Sequence, residues 1–125
     1  MSSPGSYQLQ AAIAAVHAEA PSWQETDWAQ IVALYDTLLR ITDTPVIRLN
    51  RAVAVSHVAG SRVALGEVND LAMALGGYHL FHATRAELLD ELGEKVLARE
   101  ARLRALELSS NPAERSLLER KLGGL

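Results

Sequence analysis

The sequence predicts an all-α fold of about seven antiparallel helices, built as a repeat array of helical hairpins. Three observations predict it. Similar stretches recur every 33 to 34 residues: positions 27–35 line up with 61–69 and 94–102, and a second set begins at Pro45, Tyr78 and Pro112. Apolar residues fall at three- and four-residue spacings, and no alternating β-branched run marks a strand. Gly and Pro punctuate the joints between these segments.

The first expected helix spans 6–19. Ser6 can cap it, and Leu9, Ile13 and Val16 form its apolar stripe. Ala20-Pro21-Ser22 ends it. Trp23 lies in the following loop, placed to staple against the next helix or, if exposed, to anchor an interface. Thr26 can cap a second helix to about Thr42, with Trp28, Ile31, Val32, Tyr35, Leu38 and Leu39 on one face. Asp43-Thr44-Pro45 is a turn that puts Pro45 at the first position of a third helix, where its missing N–H costs nothing. That helix runs to about Val58 on a stripe of Val46, Leu49 and Val53. Gly60-Ser61 separates it from a fourth, which ends at Gly76-Gly77. The fifth spans 78–92 and is closed by Gly93. The sixth spans 94–108. Asn111-Pro112 opens the last, which runs to Leu122.

A two-helix repeat of about 34 residues is the tetratricopeptide period. Grouped by it, the helices form hairpins 27–58, 61–92 and 94–122. The helix at 6–19 is left over, to cap the end of the stack or fill its groove. Residues 1–5 are expected to be a disordered linker, and 6–125 a single tetratricopeptide-like domain. The usual Trp, Leu, Gly and Tyr set of that repeat is incomplete here. Such repeats bury their apolar faces only by stacking, and the stack makes a concave surface suited to holding another protein.

Composition narrows the function further. The 125 residues are enough for one core, 49% are apolar, and only six are aromatic, so Ala and Leu do most of the packing. There is no cysteine, which excludes disulfides and thiolate metal sites and fits a reducing, cytoplasmic location. No run of about 18 apolar residues is present to span a membrane, and the start lacks the basic and apolar regions of a signal peptide. The net charge is −3. Residues 1–93 carry five basic and ten acidic side chains, and residues 94–125 carry seven and five. The basic end (Arg99, Arg102, Arg104, Arg115, Arg120, Lys121) reads as a solvated face that complements helix dipoles, or as a small patch. Direct DNA binding by this chain is not expected, because phosphate neutralisation needs clustered Lys and Arg.

Three segments carry a more specific resemblance. They are Tyr7-Gln8-Leu9-Gln10-Ala11-Ala12-Ile13-Ala14-Ala15-Val16-His17-Ala18, Leu49-Asn50-Arg51-Ala52-Val53-Ala54-Val55, and Tyr78-His79-Leu80-Phe81-His82-Ala83-Thr84-Arg85-Ala86-Glu87-Leu88-Leu89. They resemble the C-terminal extension of a group of bacterial extracytoplasmic-function (ECF) RNA polymerase sigma factors. In that group a tetratricopeptide-like domain follows the two promoter-binding regions. The resemblance extends from about Gly5 to Leu122. It implies a regulatory domain that controls the sigma factor in place of a separate anti-sigma protein. Its implied partners are the sigma-factor core regions, RNA polymerase or a regulator. This chain has no basic recognition helix of its own, so the resemblance makes it the regulatory part without the part that reads DNA.

The candidate binding residues are Asn50, Arg51, His79, His82 and Arg85. Asn50 and Arg51 interrupt an otherwise apolar helix, and a buried amide or guanidinium must find partners. They can form an internal network with Asp27 or Asp36, or line a groove that holds a peptide backbone or carboxylate. Arg85, one repeat on, holds a comparable position. His79 and His82, at i and i+3, face one side of a helix; a zinc pair would need a third ligand that the spacing does not supply. His17 and His57 are isolated and read as helix-surface or buried hydrogen-bonded groups, Gln8 and Gln10 as solvent-facing or packed at the domain's start, and Glu87, Asp90, Glu91 and Glu94 as a solvated helix end. No nucleophile motif, phosphate loop or catalytic triad spacing occurs, so neither an enzyme nor a cofactor is expected. The alternative function is a stand-alone helical domain that binds a small ligand or assists an enzyme, with a pocket between the first helix and the helix holding Val46 and Val55.

Overall fold

The computed structural model describes residues 5–20 and 23–123. Residues 1–4, Pro21, Ser22, the Trp23 side chain, Gly124 and Leu125 lie outside the described residues. The expected linker, the Pro21-Ser22 helix stop and the Trp23 staple therefore fall there almost entirely. Among the described residues there is no strand. Eight α-helices follow in order: α1 Ser6–Glu19, α2 Trp28–Ile41, α3 Pro45–Ala59, α4 Ser61–Asn69, α5 Ala72–Leu75, α6 His79–Glu91, α7 Lys95–Leu108 and α8 Pro112–Gly123, with a 3₁₀ turn at Trp23–Glu25 between α1 and α2. The period survives in space: α2, α4 and α7 begin at 28, 61 and 95, and α3, α6 and α8 at 45, 79 and 112.

The joints explain the topology. Gly60 (φ 95°) ends α3 and begins α4 in a single residue. Gly93 (φ 81°) closes α6, where the Glu94 N–H donates to the Leu89 carbonyl and the Gly93 N–H to the Asp90 carbonyl. Both glycines take a conformation that a Cβ would strain, and both turn the chain back at once. The broadest helix contacts accordingly lie at these two joints, α3 on α4 and α6 on α7. The paired helices of segments 27–58, 61–92 and 94–122 are also in contact, and the extra helix α1 extends the stack by packing on α2.

Three local expectations are corrected. Asp27, not Thr26, caps α2, its carboxylate accepting from the Gln30 N–H at 3.1 Å; Thr26 is buried instead. Gly5, not Ser6, is the N-cap of α1, with the Gln8 side chain accepting from the Gly5 N–H. The single helix expected at 61–76 is two. After Val68 the ladder tightens, Leu71 N–H donating to the Val68 carbonyl at 2.9 Å, and α5 starts afresh. Asn69 and Asp70 are weak helix formers, and the Asn69 side chain is taken up by Arg85 of α6.

The core has three parts. One joins α3, α4, α5 and α6 through Leu49, Ala52, Val55, Val68, Leu75, Phe81 and Leu88. A second joins α1, α2 and α3 through Leu9, Ile13, Ile31, Leu38 and Ala54. In the third, Ala98 and Ala101 of α7 meet Ala86 and Leu89 of α6. Small side chains there let the two helix backbones approach closely, consistent with the broad α6–α7 contact. Helix α3 thus buries two faces, which leaves its remaining edge open.

Candidate protein-binding groove

Helices α3, α6 and α8 lie on one side of the stack and leave an open groove of about 430 Å³ between them. Val53 of α3, Leu80, Ala83 and Leu88 of α6, and Leu117 and Leu118 of α8 supply its apolar lining. Leu80 and Leu117 are 41% and 45% exposed, so apolar surface faces water here. On α6 the groove-facing residues Leu80, Thr84, Glu87 and Glu91 recur at four-, three- and four-residue spacings, one stripe beside the buried one.

Charges ring this floor. Arg102 of α7 is only 8% exposed and reaches the groove lining, bonded to Asp90 and 3.5 Å from Glu87. Lys121 of α8 pairs with Glu87, and Lys95 reaches Asp90 at 3.2 Å. The Arg102 hydrogen bond, helped by Lys95 and opposed by burial, holds the Asp90 carboxyl below its usual range. At one end of the groove Glu91 accepts from the Ser61 hydroxyl. At the other, Glu114 lies 2.5 Å from Nδ1 of His79. Of the run Glu87, Asp90, Glu91 and Glu94, read as a solvated helix end, the first three are thus engaged across helices.

The sequence candidates are not brought to one surface. Asn50 was expected to be buried but is exposed: it sits on the open edge of α3 and lines a separate pocket of about 500 Å³ with Gln10, Ile13, Tyr35 and Val46. Arg51 forms the internal network. Its Nε donates to Asp36 at 2.7 Å and its Nη1 to Glu67 at 2.6 Å, tying α2, α3 and α4. Arg85 donates from Nε to Asn69 at 2.8 Å. His82 donates from Nε2 to the Gly76 carbonyl at 2.7 Å, while His79 faces α8, so the i, i+3 pair diverges. Among the described residues no group of three or more His, Cys, Asp or Glu could hold a metal. His17 and His57 flank Trp28, His57 stacked at 4.0 Å and His17 edge-on at 5.1 Å. None of the five candidates lines the groove itself. Of the residues that do, Leu80, Thr84, Glu87 and Glu91 are signalled by the second stripe on α6, whereas Glu114 and Leu117 lie on α8 and carry no such signal.

Arg51→Ala is expected to cost about 1 kcal/mol, not the 3–5 kcal/mol of a fully buried pair, because its partners Asp36 and Glu67 remain 53% and 37% exposed. Urea unfolding measures this, and a loss above about 3 kcal/mol would refute it.

No family model and no solved structure matches the chain. A curated relative is an uncharacterized protein of Rhizobium meliloti (strain 1021), 45% identical over 122 residues. The match takes in 98% of this chain and 29% of the relative's length. No helix among the described residues is long and apolar enough to cross a membrane.

Proposed function

We propose that this chain is the regulatory, protein-binding domain of an ECF sigma factor, gating transcription initiation through contacts made in the α3–α6–α8 groove. The observation that carries the binding role is that groove: an open concave face with an exposed apolar floor and a polar rim, the usual make-up of a docking surface. The assignment to sigma factors rests on the sequence resemblance. The relative's greater length agrees with it, since about seven-tenths of that protein lies outside the match and leaves room for promoter-reading regions.

The groove's occupant is then a segment of the sigma-factor core, RNA polymerase or a regulator, and the domain acts as a protein-binding module. The alternative of a small-ligand or enzyme-accessory domain has a pocket where it was expected, between α1 and α3 beside Asn50, but calls for Asn50, Arg51 and His79 to share one deep cavity. They point to three different places, so the docking reading is preferred.

The test is reconstituted transcription by the parent sigma factor with core RNA polymerase. Leu80→Glu and Leu117→Glu alter exposed groove positions and leave the core intact. Both are expected to change promoter output severalfold with little change in melting temperature. Unchanged output from both variants would reject the proposal.

A further inference from the structure

We infer that the groove's occupant is an amphipathic α-helix with an apolar centre and a Lys or Arg near each end. This deepens the docking reading and rests on it.

The first argument is backbone chemistry. The groove's walls are helices, whose backbone groups are satisfied internally, and no Asn or Gln side chain lines it. An extended segment laid on Val53, Leu80 and Leu117 would find few partners for its row of N–H and C=O groups beyond the Ser56 and Thr84 hydroxyls, and each group left unpaired costs about as much as a lost hydrogen bond. A helix brings those groups already paired and offers only its apolar stripe.

The second argument is charge. Glu87 and Asp90 are balanced by Arg102, Lys121 and Lys95. Glu91 and Glu114 are not: one meets a hydroxyl and the other an imidazole, and neither pairs with a Lys or Arg among the described residues. These two carboxylates mark opposite ends of the apolar floor. Glu114 lies against His79 at the start of α6 and Glu91 is at its end, a rise of about 18 Å at the helical pitch. A helical occupant matching both ends carries cations about 11 to 12 positions apart, with apolar residues at i, i+3 or i+4, and i+7 between them. Basic groups at these ends also speed encounter and fix which segment is accepted.

The experiment pans a displayed library of random peptides of about 16 residues, long enough for three to four helical turns, against the 125-residue protein. A parallel selection on the Leu80→Glu, Leu117→Glu double variant removes binders that do not use the groove. Groove-dependent peptides are expected to show the helical apolar spacing with a Lys or Arg at each end. They should gain helical circular dichroism on binding and lose affinity when a central residue becomes Pro. Combining Glu91→Lys with Glu114→Lys should weaken them about tenfold, as the loss of two ion pairs allows.

Groove-dependent binders that are extended, or indifferent to the two charge reversals, would overturn the helix inference and leave the docking reading standing. A selection with no groove-dependent binder would count against docking itself. If sedimentation shows a dimer that the Leu117→Glu change dissolves, the occupant is a second copy of this chain and the inference fails.

Discussion

Phe81→Ala is expected to destabilise the protein by about 3–5 kcal/mol, the range for removing a buried aromatic ring. Phe81 is 3% exposed and is the chain's single phenylalanine. It packs where α3, α4, α5 and α6 meet, in the cluster that holds Leu49, Val68, Leu75 and Leu88. Those neighbours come from four helices with short joints between them. They have little freedom to collapse into the space, so the cavity persists and its cost adds to the lost transfer energy. Such a loss is a large fraction of the roughly 5–15 kcal/mol that holds a domain folded. Leu103→Ala is the control: Leu103 is 41% exposed on α7 and should shift stability by less than about 0.5 kcal/mol. Urea unfolding of both variants measures the contrast. A Phe81→Ala loss under about 1 kcal/mol would mean that the four-helix cluster repacks and is not a rigid core.

The repeat was legible because its signals are local. Pro45 and Pro112 fix first helical positions, Gly60 and Gly93 take the left-handed turns, and the apolar stripes of α1 and α2 bury Leu9, Ile13, Ile31 and Leu38 as their spacing predicts. The break between α4 and α5 was not legible. Apolar residues continue in helical register through it, from Ala64 and Val68 to Leu71 and Leu75, and the interruption coincides with Arg85 engaging Asn69 from another helix. Asn50 misled because its neighbours in sequence are apolar. Burial on two faces of α3 accounts for those neighbours and leaves the third edge to Asn50 and Val46.

The groove was illegible for a different reason. Single exposed leucines are ordinary. Leu80 and Leu117 gain meaning only when α3, α6 and α8 are seen side by side, which the period alone does not dictate. The five named candidates carry polar side chains that mostly tie one helix to the next: Arg51 to Asp36 and Glu67, Arg85 to Asn69, and His79 to Glu114. Unusual polar residues in an apolar repeat pointed more often to these ties than to the groove.

Arg102 carries the second large effect. Its place on α7 continues the stripe of Ala98, Ala101 and Ala105, so the helix turns it inward, although its charge had suggested a basic surface. Arg102→Ala removes a buried stem that lines the groove and strips Asp90 of its main partner, leaving Lys95 at 3.2 Å. Asp90 keeps 25% side-chain exposure, so the expected loss is about 2–3 kcal/mol, below the full range for a broken buried pair. The pH dependence identifies the cause. Because the folded state holds the Asp90 carboxyl below its usual value, the contribution is fully present above the ordinary carboxylate range of about pH 4 and is lost as pH falls through the lowered folded value. In Arg102→Ala that value returns toward normal, so this acid-induced loss disappears from the difference curve. Denaturant unfolding of wild type, Arg102→Ala and Asp90→Asn from neutral pH down to about pH 2.5 measures it. Wild type should lose its advantage over Asp90→Asn only at the acid end. An advantage that stays constant down to that pH, or an Arg102→Ala loss under about 0.5 kcal/mol, would show that the ion pair does not hold α7 to α6.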